Sequence, residues 1–245
     1  MAKDSIQLQV LLHHYDATRH GNDIVLDDGT VLPMLRSQSA ASHHRCLADY
    51  FDEQQPSPIG LFTVVARPRV EPANEADRLM CHALCARLAE AAAERATAVN
   101  SVECRVDSVE CRVHSVECRV DSVEFATAVP LGEGMAVANS TLYTLNSKPL
   151  RVAFGYATSP DHSLKRIVFD LLDAERRLDI SLTDHYSIQP STSICGLLIY
   201  HPEARYFPVG RIDRDQLADY CRRRAITLAE GEQLLSKHIT QKDHT

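Results

Sequence analysis

Histidine and cysteine are the residue types of this 245-residue chain that could hold a metal, with 12 and 8 copies. They form two clusters, Cys81, His82, Cys85 and His43, His44, Cys46. Neither cluster contains a Cys-x-x-Cys pair, and no second pair follows at the spacing of a zinc finger. Buried thiols beside alanines are the preferred interpretation, and a zinc-binding protein is the third-ranked hypothesis.

The common catalytic signatures are absent from the sequence. It contains no Gly-x-Gly-x-x-Gly, Walker loop, His-Glu-x-x-His or Gly-x-Ser-x-Gly motif. The standard dinucleotide-binding, phosphate-binding, zinc protease and serine hydrolase sites are therefore not expected.

Residues 151–162 read Arg-Val-Ala-Phe-Gly-Tyr-Ala-Thr-Ser-Pro-Asp-His. This segment resembles the ligand-binding stretch of the activation (reactivation) domain of cobalamin-dependent methionine synthase, which reads Arg-Pro-Ala-Pro-Gly-Tyr-Pro-Ala-Cys-Pro-Asp-His. The identical positions are Arg151, Ala153, Gly155, Tyr156, Pro160, Asp161 and His162. The resemblance continues through residues 201–216 and covers most of 21–99 and 150–238.

This resemblance implies an S-adenosylmethionine site. It assigns ligand binding to Glu90, Arg151, Ala153, Gly155, Tyr156, Tyr206 and Phe207. A planar guanidinium can bind the ligand carboxylate through two hydrogen bonds, and Glu90 could face the positive charges of the ligand. Gly155 would let the backbone approach the ligand, and Tyr156 would cover the adenine. His162 is expected to orient its loop or to face a cobalamin-bearing partner.

The resemblance also implies the partners. In the family, S-adenosylmethionine gives its methyl group to reduced cobalamin held by another module, so no catalytic residue is expected in this chain. The expected partners are the cobalamin-binding module of methionine synthase and a flavodoxin-type reductant. The chain lacks an Asp-x-His-x-x-Gly corrinoid motif and would be one part of a methyltransferase, insufficient alone.

The alternative function is a diverged interaction module that keeps the fold and binds no ligand. Three departures from the family motivate it. The chain has no tryptophan. It begins after the family's Asp-Trp-Thr-Pro-Phe-Phe motif and has no equivalent aspartate. Val152 and Phe154 stand where the family has prolines.

Charge and hydropathy exclude other classes of protein. The formal net charge is −7, which argues against sequence-independent nucleic-acid binding. No apolar run reaches the roughly 18 residues that span a bilayer, and the N-terminal residues alternate like a strand rather than a signal peptide. We therefore expect no nucleic-acid or membrane partner and a cytoplasmic location.

Residues 101–124 contain the heptad Ser-Val-Glu-Cys-Arg-Val-Asp three times, with His114 in place of Asp once. The valines are spaced by four and three residues, as in a coiled coil. Within one unit, however, Val102 and Val106 alternate with charged residues, as in a strand. Periodicity leaves both open. We prefer a short duplication to an oligomerisation helix, and treat 100–148 as an atypical insertion in one domain, 1–245.

Sequence patterns also predict the elements that would position the site. The N-terminal half is expected to form a strand over 5–12, a histidine-rich turn up to Gly21 and a hairpin of 23–26 with 31–35. A central strand over 59–66 and a helix over 74–95 should follow. One face of this helix is expected to carry Leu79, Ala83, Ala86 and Leu88.

The C-terminal half is expected to contain a helix capped by Ser159, a strand over 178–182, a hairpin of 193–200 with 205–209, and two helices with capping boxes at Asp213 and Thr227. Strands and helices occur in blocks without strict alternation. This order favours an α+β fold with a twisted, largely antiparallel sheet and flanking helices, as the resemblance also implies.

Overall fold

The computed structural model describes residues 6–96 and 148–240, and between them it gives only the backbone of four short strands. The strands are β1 (Ile6–His20), β2 (Asp23–Leu26), β3 (Val31–Pro33), β4 (Ser57–Pro68), β5 (Val102–Val106), β6 (Glu110–Cys111), β7 (Cys118–Arg119), β8 (Phe125–Ala126), β9 (Leu150–Ala153), β10 (Ser181–Leu182), β11 (Ile188–Gln189) and β12 (Ser193–Ile199). The α-helices are α1 (Glu75–Ala96), α2 (Lys165–Leu172), α3 (Ala174–Leu178), α4 (Arg214–Arg224) and α5 (Leu228–Leu234).

The main sheet has the strand order β3-β2-β1-β4-β12-β9, and each neighbouring pair is antiparallel. β4 lies in the interior of the sheet, between β1 and β12, and its residues 59–66 are all buried. A continuous apolar run is what a strand covered on both faces requires. The predicted central strand and the α+β fold class are therefore confirmed.

β1 is longer than predicted, because the expected histidine-rich turn over residues 13–20 continues the strand. The alternating burial extends past the two histidines to Tyr15 and Ala17. One edge of β1 pairs with β4, and the opposite edge pairs with β5 over 8–12 and with β2 over 17–20. The strand keeps partners along its length, which satisfies its backbone groups.

The first unit of the heptad repeat contributes β5, which pairs antiparallel with β1. The strand interpretation therefore holds for Val102–Val106. The coiled-coil interpretation concerned the whole of 101–124, and most of that range lies outside the described residues.

Helices cover both faces of the sheet. On one face α1 packs against β1, β4 and β12, and on the other the core includes residues of α2, α3 and α4. Asn74 begins α1 as predicted, because its Oδ1 accepts a hydrogen bond from the Asp77 amide. The buried face of α1 agrees with the prediction only in part. Leu88 is buried as expected, but Leu79 and Ala83 are exposed, and Cys81 and Cys85 are buried in their place. No helix in the described ranges is long and apolar enough to cross a membrane.

Three C-terminal boundaries differ from the prediction. Asp161, not Ser159, caps the helical region, because its carboxylate accepts from the Ser163 amide. The strand over 178–182 is reduced to Ser181–Leu182, since Leu178 ends α3. Residues 205–209 form no strand. The Val209 amide and the Phe207 carbonyl bond to the loop at 157–158 instead.

The two final helices begin where predicted. Thr227 and Glu230 exchange both hydrogen bonds of a capping box at α5. Asp213 accepts from the Gln216 amide at α4, but the Gln216 side chain accepts from the Arg36 amide instead of completing the box.

Candidate functional site

A pocket of about 460 Å³ lies beside the edge strand β9, next to α1 and to the loop that follows β9. Its lining includes the predicted residues Glu90, Arg151, Ala153, Gly155, Tyr156, His162 and Tyr206. The fold therefore gathers into one cavity residues that are separated by more than a hundred positions in sequence. Phe207 is the predicted ligand residue that is not part of this lining.

Arg151 and Glu90 face each other across the pocket wall. Arg151 Nη2 donates to Glu90 Oε2 at 2.7 Å, which links β9 to α1. Arg151 Nη1 is buried and has no hydrogen-bond partner. A guanidinium presents its donors in a fixed planar fork, so a second acceptor can bind the free side of this group. The pair leaves one unused cationic donor beside one half-exposed carboxylate.

Two tyrosines at the pocket leave most of their surface in solvent. Tyr156 is 64% exposed and Tyr206 is 54% exposed. Large aromatic rings left open beside a cavity offer faces for a planar ligand. The neighbouring Phe207 is only 3% exposed and packs in the core. Phe207 therefore packs in the protein interior, whereas Tyr206 beside it is open to solvent.

The turn after β9 is shaped around His162. Gly155 has φ +89° and its amide donates to the Ser159 carbonyl at 2.7 Å. A Cβ at position 155 would lie 2.0 Å from Cε1 of His162. A side chain at position 155 would therefore have to displace the imidazole, a reason for glycine that adds to the predicted one, close approach of a ligand.

Asp161 anchors this turn from behind. Asp161 is only 1% exposed. Its Oδ1 accepts hydrogen bonds from the amide and the hydroxyl of Ser163, at 2.7 and 2.6 Å. Its Oδ2 accepts from the Tyr220 hydroxyl at 2.6 Å. Burial, followed by the Asp161 charge, raises the pKa of Tyr220 well above its usual range. The Tyr220 proton therefore stays on the phenol, and α4 is tied to the pocket loop.

The lining also contains residues that the sequence analysis did not assign to the site, and two of them, Lys165 and Ser193, carry buried polar groups. Lys165 is almost completely buried at the start of α2, and Ser193 carries a buried hydroxyl without a hydrogen-bond partner. The helical pattern that predicted α2 counts apolar positions, so it contains no signal for a buried lysine. Ser193 looks like an ordinary polar residue at the beginning of a strand.

The two candidate metal clusters are not assembled as ligand sets. Cys81 and Cys85 are buried in the core beneath α1, whereas His82 is exposed and shares a hydrogen bond with the Ser191 hydroxyl at 2.9 Å. Cys46 is buried and donates to the Asn22 carbonyl. Among residues 6–96 and 148–240, no three histidine, cysteine or acidic side chains are grouped to hold a metal.

Comparison with known proteins adds two findings. A family model described as the activation domain of vitamin B12-dependent methionine synthase matches residues 1–103 and 132–225. A crystal structure described as the MetH reactivation domain bound to AdoHcy is 25% identical, with a TM-score of 0.69. That match covers 97% of this chain and 72% of the other. Every predicted site residue falls within the ranges matched by the family model.

Proposed function

The chain belongs to the activation domain family of vitamin B12-dependent methionine synthase, and from that premise we propose that its pocket binds S-adenosylmethionine for the remethylation of inactivated cobalamin. The site residues of this proposal are those that share the cavity. They are Glu90, Arg151, Ala153, Gly155, Tyr156 and Tyr206. His162 lines the same cavity, and the proposal also assigns it to the side that meets the cobalamin-bearing partner.

The observation that carries the proposal is the half-used guanidinium of Arg151. One nitrogen of the group is bonded to Glu90, while Nη1 is buried in the pocket wall without a partner. Leaving a buried donor unsatisfied costs about 1–3 kcal/mol. A ligand carboxylate would recover that free energy through a charge-assisted hydrogen bond. The half-exposed carboxylate of Glu90 would then face the ammonium or sulfonium of the same ligand.

The proposal assigns the nucleoside end of the ligand to the two exposed tyrosines of the pocket. Tyr156 and Tyr206 leave their rings exposed there, and a purine can stack on such a face. The solved structure similar to this chain is described as bound to AdoHcy. AdoHcy is what S-adenosylmethionine becomes when its methyl group is lost, so the similarity supports a ligand of this class.

S-adenosylmethionine supplies an activated methyl group on a sulfonium. Loss of that group from sulfur moves no proton, so the pocket needs no general acid or base. The role of this chain would be to hold the amino-acid end at Arg151 and Glu90 and the base against an exposed tyrosine ring, which orients the sulfonium.

The proposal includes two partners. A separate module of methionine synthase would carry the cobalamin, and a flavodoxin-type protein would supply the electron for its reduction. The family and the described activation domain support the first partner. The second follows from the resemblance alone.

Isothermal titration calorimetry with S-adenosylmethionine tests the proposal on the 245-residue chain. We expect saturable binding by the wild type and a dissociation constant at least about tenfold higher in Arg151→Ala, since a charge-assisted contact is lost. Arg166→Ala is the matched control. Arg166 pairs with Asp170 and Glu175 on the surface of α2. The Arg166→Ala variant should therefore bind S-adenosylmethionine as tightly as the wild type does.

A wild-type protein that does not bind S-adenosylmethionine, or equal binding by wild type and Arg151→Ala, would contradict the proposal. The first of these results would favour the alternative function, an interaction module that keeps the fold without the ligand.

A further inference from the structure

We propose that Lys165 is a positioning residue for the pocket, whose ammonium group holds His162 against Gly155 and so fixes the wall formed by residues 155–162. This inference rests on the proposed function, because the wall matters only if the pocket binds a ligand. The experiment below separates the two.

Lys165 lies in an unusual environment for a lysine. The residue is 7% exposed, yet it begins a helix whose neighbouring buried positions are apolar. Its Nζ lies 2.8 Å from Nδ1 of His162 and 2.9 Å from the carbonyl oxygen of Tyr186. Among the residues that the structure describes, the ammonium forms no ion pair with a carboxylate at hydrogen-bond distance. Its position is therefore defined by two neutral acceptors.

The hydrogen bond between Lys165 and His162 can run in only one direction. An ammonium group can only donate, so Nδ1 of His162 must be the unprotonated nitrogen and the ring proton must lie on Nε2. Burial, with the Lys165 charge as the next cause, lowers the pKa of His162. The contact thus selects one neutral tautomer and one ring orientation, as hydrogen bonds commonly do for histidine.

The imidazole of His162 forms part of the pocket wall. The three ring atoms nearest to a Cβ built at Gly155 would lie at 2.0–2.4 Å from it, so the ring covers that α-carbon directly. His162, Gly155 and Lys165 all line the cavity. If the ring could rotate, the pocket wall next to Tyr156 would change shape. The hydrogen bond from Lys165 to Nδ1 keeps the ring in one orientation.

The burial of Lys165 costs folding free energy. Burying an ammonium carries a desolvation penalty, and here burial lowers the pKa of Lys165. An apolar residue at this position of α2 would avoid the penalty, as it does at Val168 and Leu172. The lysine therefore contributes little to folding, and its position in the pocket wall indicates a role in shaping the site.

Nuclear magnetic resonance of the full chain with ¹⁵N-labelled histidine tests the contact directly. The signal of His162 is identified by its loss in His162→Gln. We expect the Nε2-protonated tautomer alone in the wild type and a mixture of tautomers in Lys165→Met. Lys165→Arg keeps a donor at this position and should restore the single tautomer. Lys148→Met, which removes an exposed lysine that pairs with Glu94, should leave the tautomer unchanged.

Calorimetry tests the consequence for the ligand. Lys165→Met should raise the dissociation constant for S-adenosylmethionine about fivefold, as expected for the loss of one hydrogen bond. In a His162→Gln background the same substitution should have no further effect, because Lys165 acts through His162. Thermal unfolding should show that Lys165→Met is as stable as the wild type or more so.

Two results would overturn the inference. One is a His162 tautomer that does not depend on Lys165. The other is an equal loss of affinity on Lys165→Met with and without His162, which would indicate direct contact with the ligand. If the wild type binds no S-adenosylmethionine, the proposed function fails, but the tautomer measurement still decides whether Lys165 positions His162.

Discussion

The imidazole of His162 occupies the position at which a side chain on residue 155 would begin. The two residues are seven positions apart, and the turn between them brings the ring over the glycine α-carbon, with Cε1 only 2.0 Å from a built Cβ. Gly155 also adopts a positive φ of +89°, so both its conformation and its contact disfavour a side chain. The shape of this pocket wall therefore depends on one missing Cβ.

Gly155→Ala should both destabilise the fold and abolish binding of S-adenosylmethionine. The positive φ alone costs about 1 kcal/mol for an alanine, and displacing the imidazole adds about 1–3 kcal/mol, as overpacking does elsewhere. Urea denaturation measures the first effect, and calorimetry at a temperature where the variant is folded measures the second.

Gly210→Ala is the matched control for the backbone effect. Gly210 has φ +75°, and a Cβ there would meet nothing within 4 Å. Gly210→Ala should therefore lose only the free energy of unfolding that the positive φ costs, and it should bind S-adenosylmethionine as tightly as the wild type. Equal destabilisation of the two variants would mean that the His162 contact carries no energetic weight.

Glu90→Gln should separate stability from binding. The ion pair with Arg151 is half-exposed, with 33% of the arginine side chain and 55% of the glutamate side chain accessible. Exposed pairs contribute about 0–1 kcal/mol to folding, so the free energy of unfolding should change little. Binding of S-adenosylmethionine should weaken about tenfold, because the carboxylate facing the positive ligand charges is lost.

Glu94→Gln is the control for that substitution. Glu94 lies one helical turn further along α1 and pairs with Lys148, so the two variants lose the same charge from the same helix. Ligand affinity unchanged in Glu94→Gln and weaker in Glu90→Gln is the expected pair of results. Equal losses would indicate a general effect of net charge rather than a contact at residue 90.

Tyr220→Phe should destabilise the protein by about 1–3 kcal/mol, because it leaves one oxygen of the buried Asp161 carboxylate without its donor. The ring itself stays, so packing is preserved. Chemical denaturation measures the change. Tyr206→Phe removes a hydroxyl from a half-exposed tyrosine and should leave the free energy of unfolding within about 0.5 kcal/mol of the wild type. Similar losses in the two variants would contradict the assigned role of the Asp161 network.

The sequence predicted the parts of the fold that depend on local or periodic patterns. The apolar run of β4, the Asp-Gly hairpin between β2 and β3 and the cap at Thr227 follow from nearest neighbours and alternation. The end of β1 was missed, since pairing with β2 and β4 holds residues 13–20 extended despite their polar sequence. Residues 205–209 were missed for the opposite reason, because their hydrogen bonds go to a loop rather than to a neighbouring strand.

The site was predictable only as far as its residues occur in a motif. Arg151, Gly155 and Tyr156 are adjacent in sequence and were found together, and Glu90 followed from the same resemblance. Lys165 was missed, because its burial depends on His162 and Tyr186 in three dimensions. For Gly155 the sequence shows that a glycine is present, but not that the His162 ring fills the space beside its α-carbon.

The pH dependence of stability should reflect His14 in the middle of β1. Burial, followed by the charge of His13, lowers the pKa of His14 from 6.5 to about 4. Its Nε2 lies 2.7 Å from the Tyr200 hydroxyl. Between pH 6.5 and about 4 the unfolded chain binds a proton at this residue that the folded chain does not. The contribution is therefore fully present above pH 6.5 and is lost as the pH falls through this window.

His14→Gln should flatten the stability curve in that window, by at most about 1.4 kcal/mol per pH unit. Urea unfolding of wild type and variant from pH 7.5 to 4.5 gives the difference curve, and histidines elsewhere cancel from it. Tyr200→Phe should retain the wild-type slope, because burial rather than the hydroxyl lowers the pKa of His14. A wild-type minus His14→Gln difference that stays constant with pH would show that His14 titrates alike in the folded and unfolded chains.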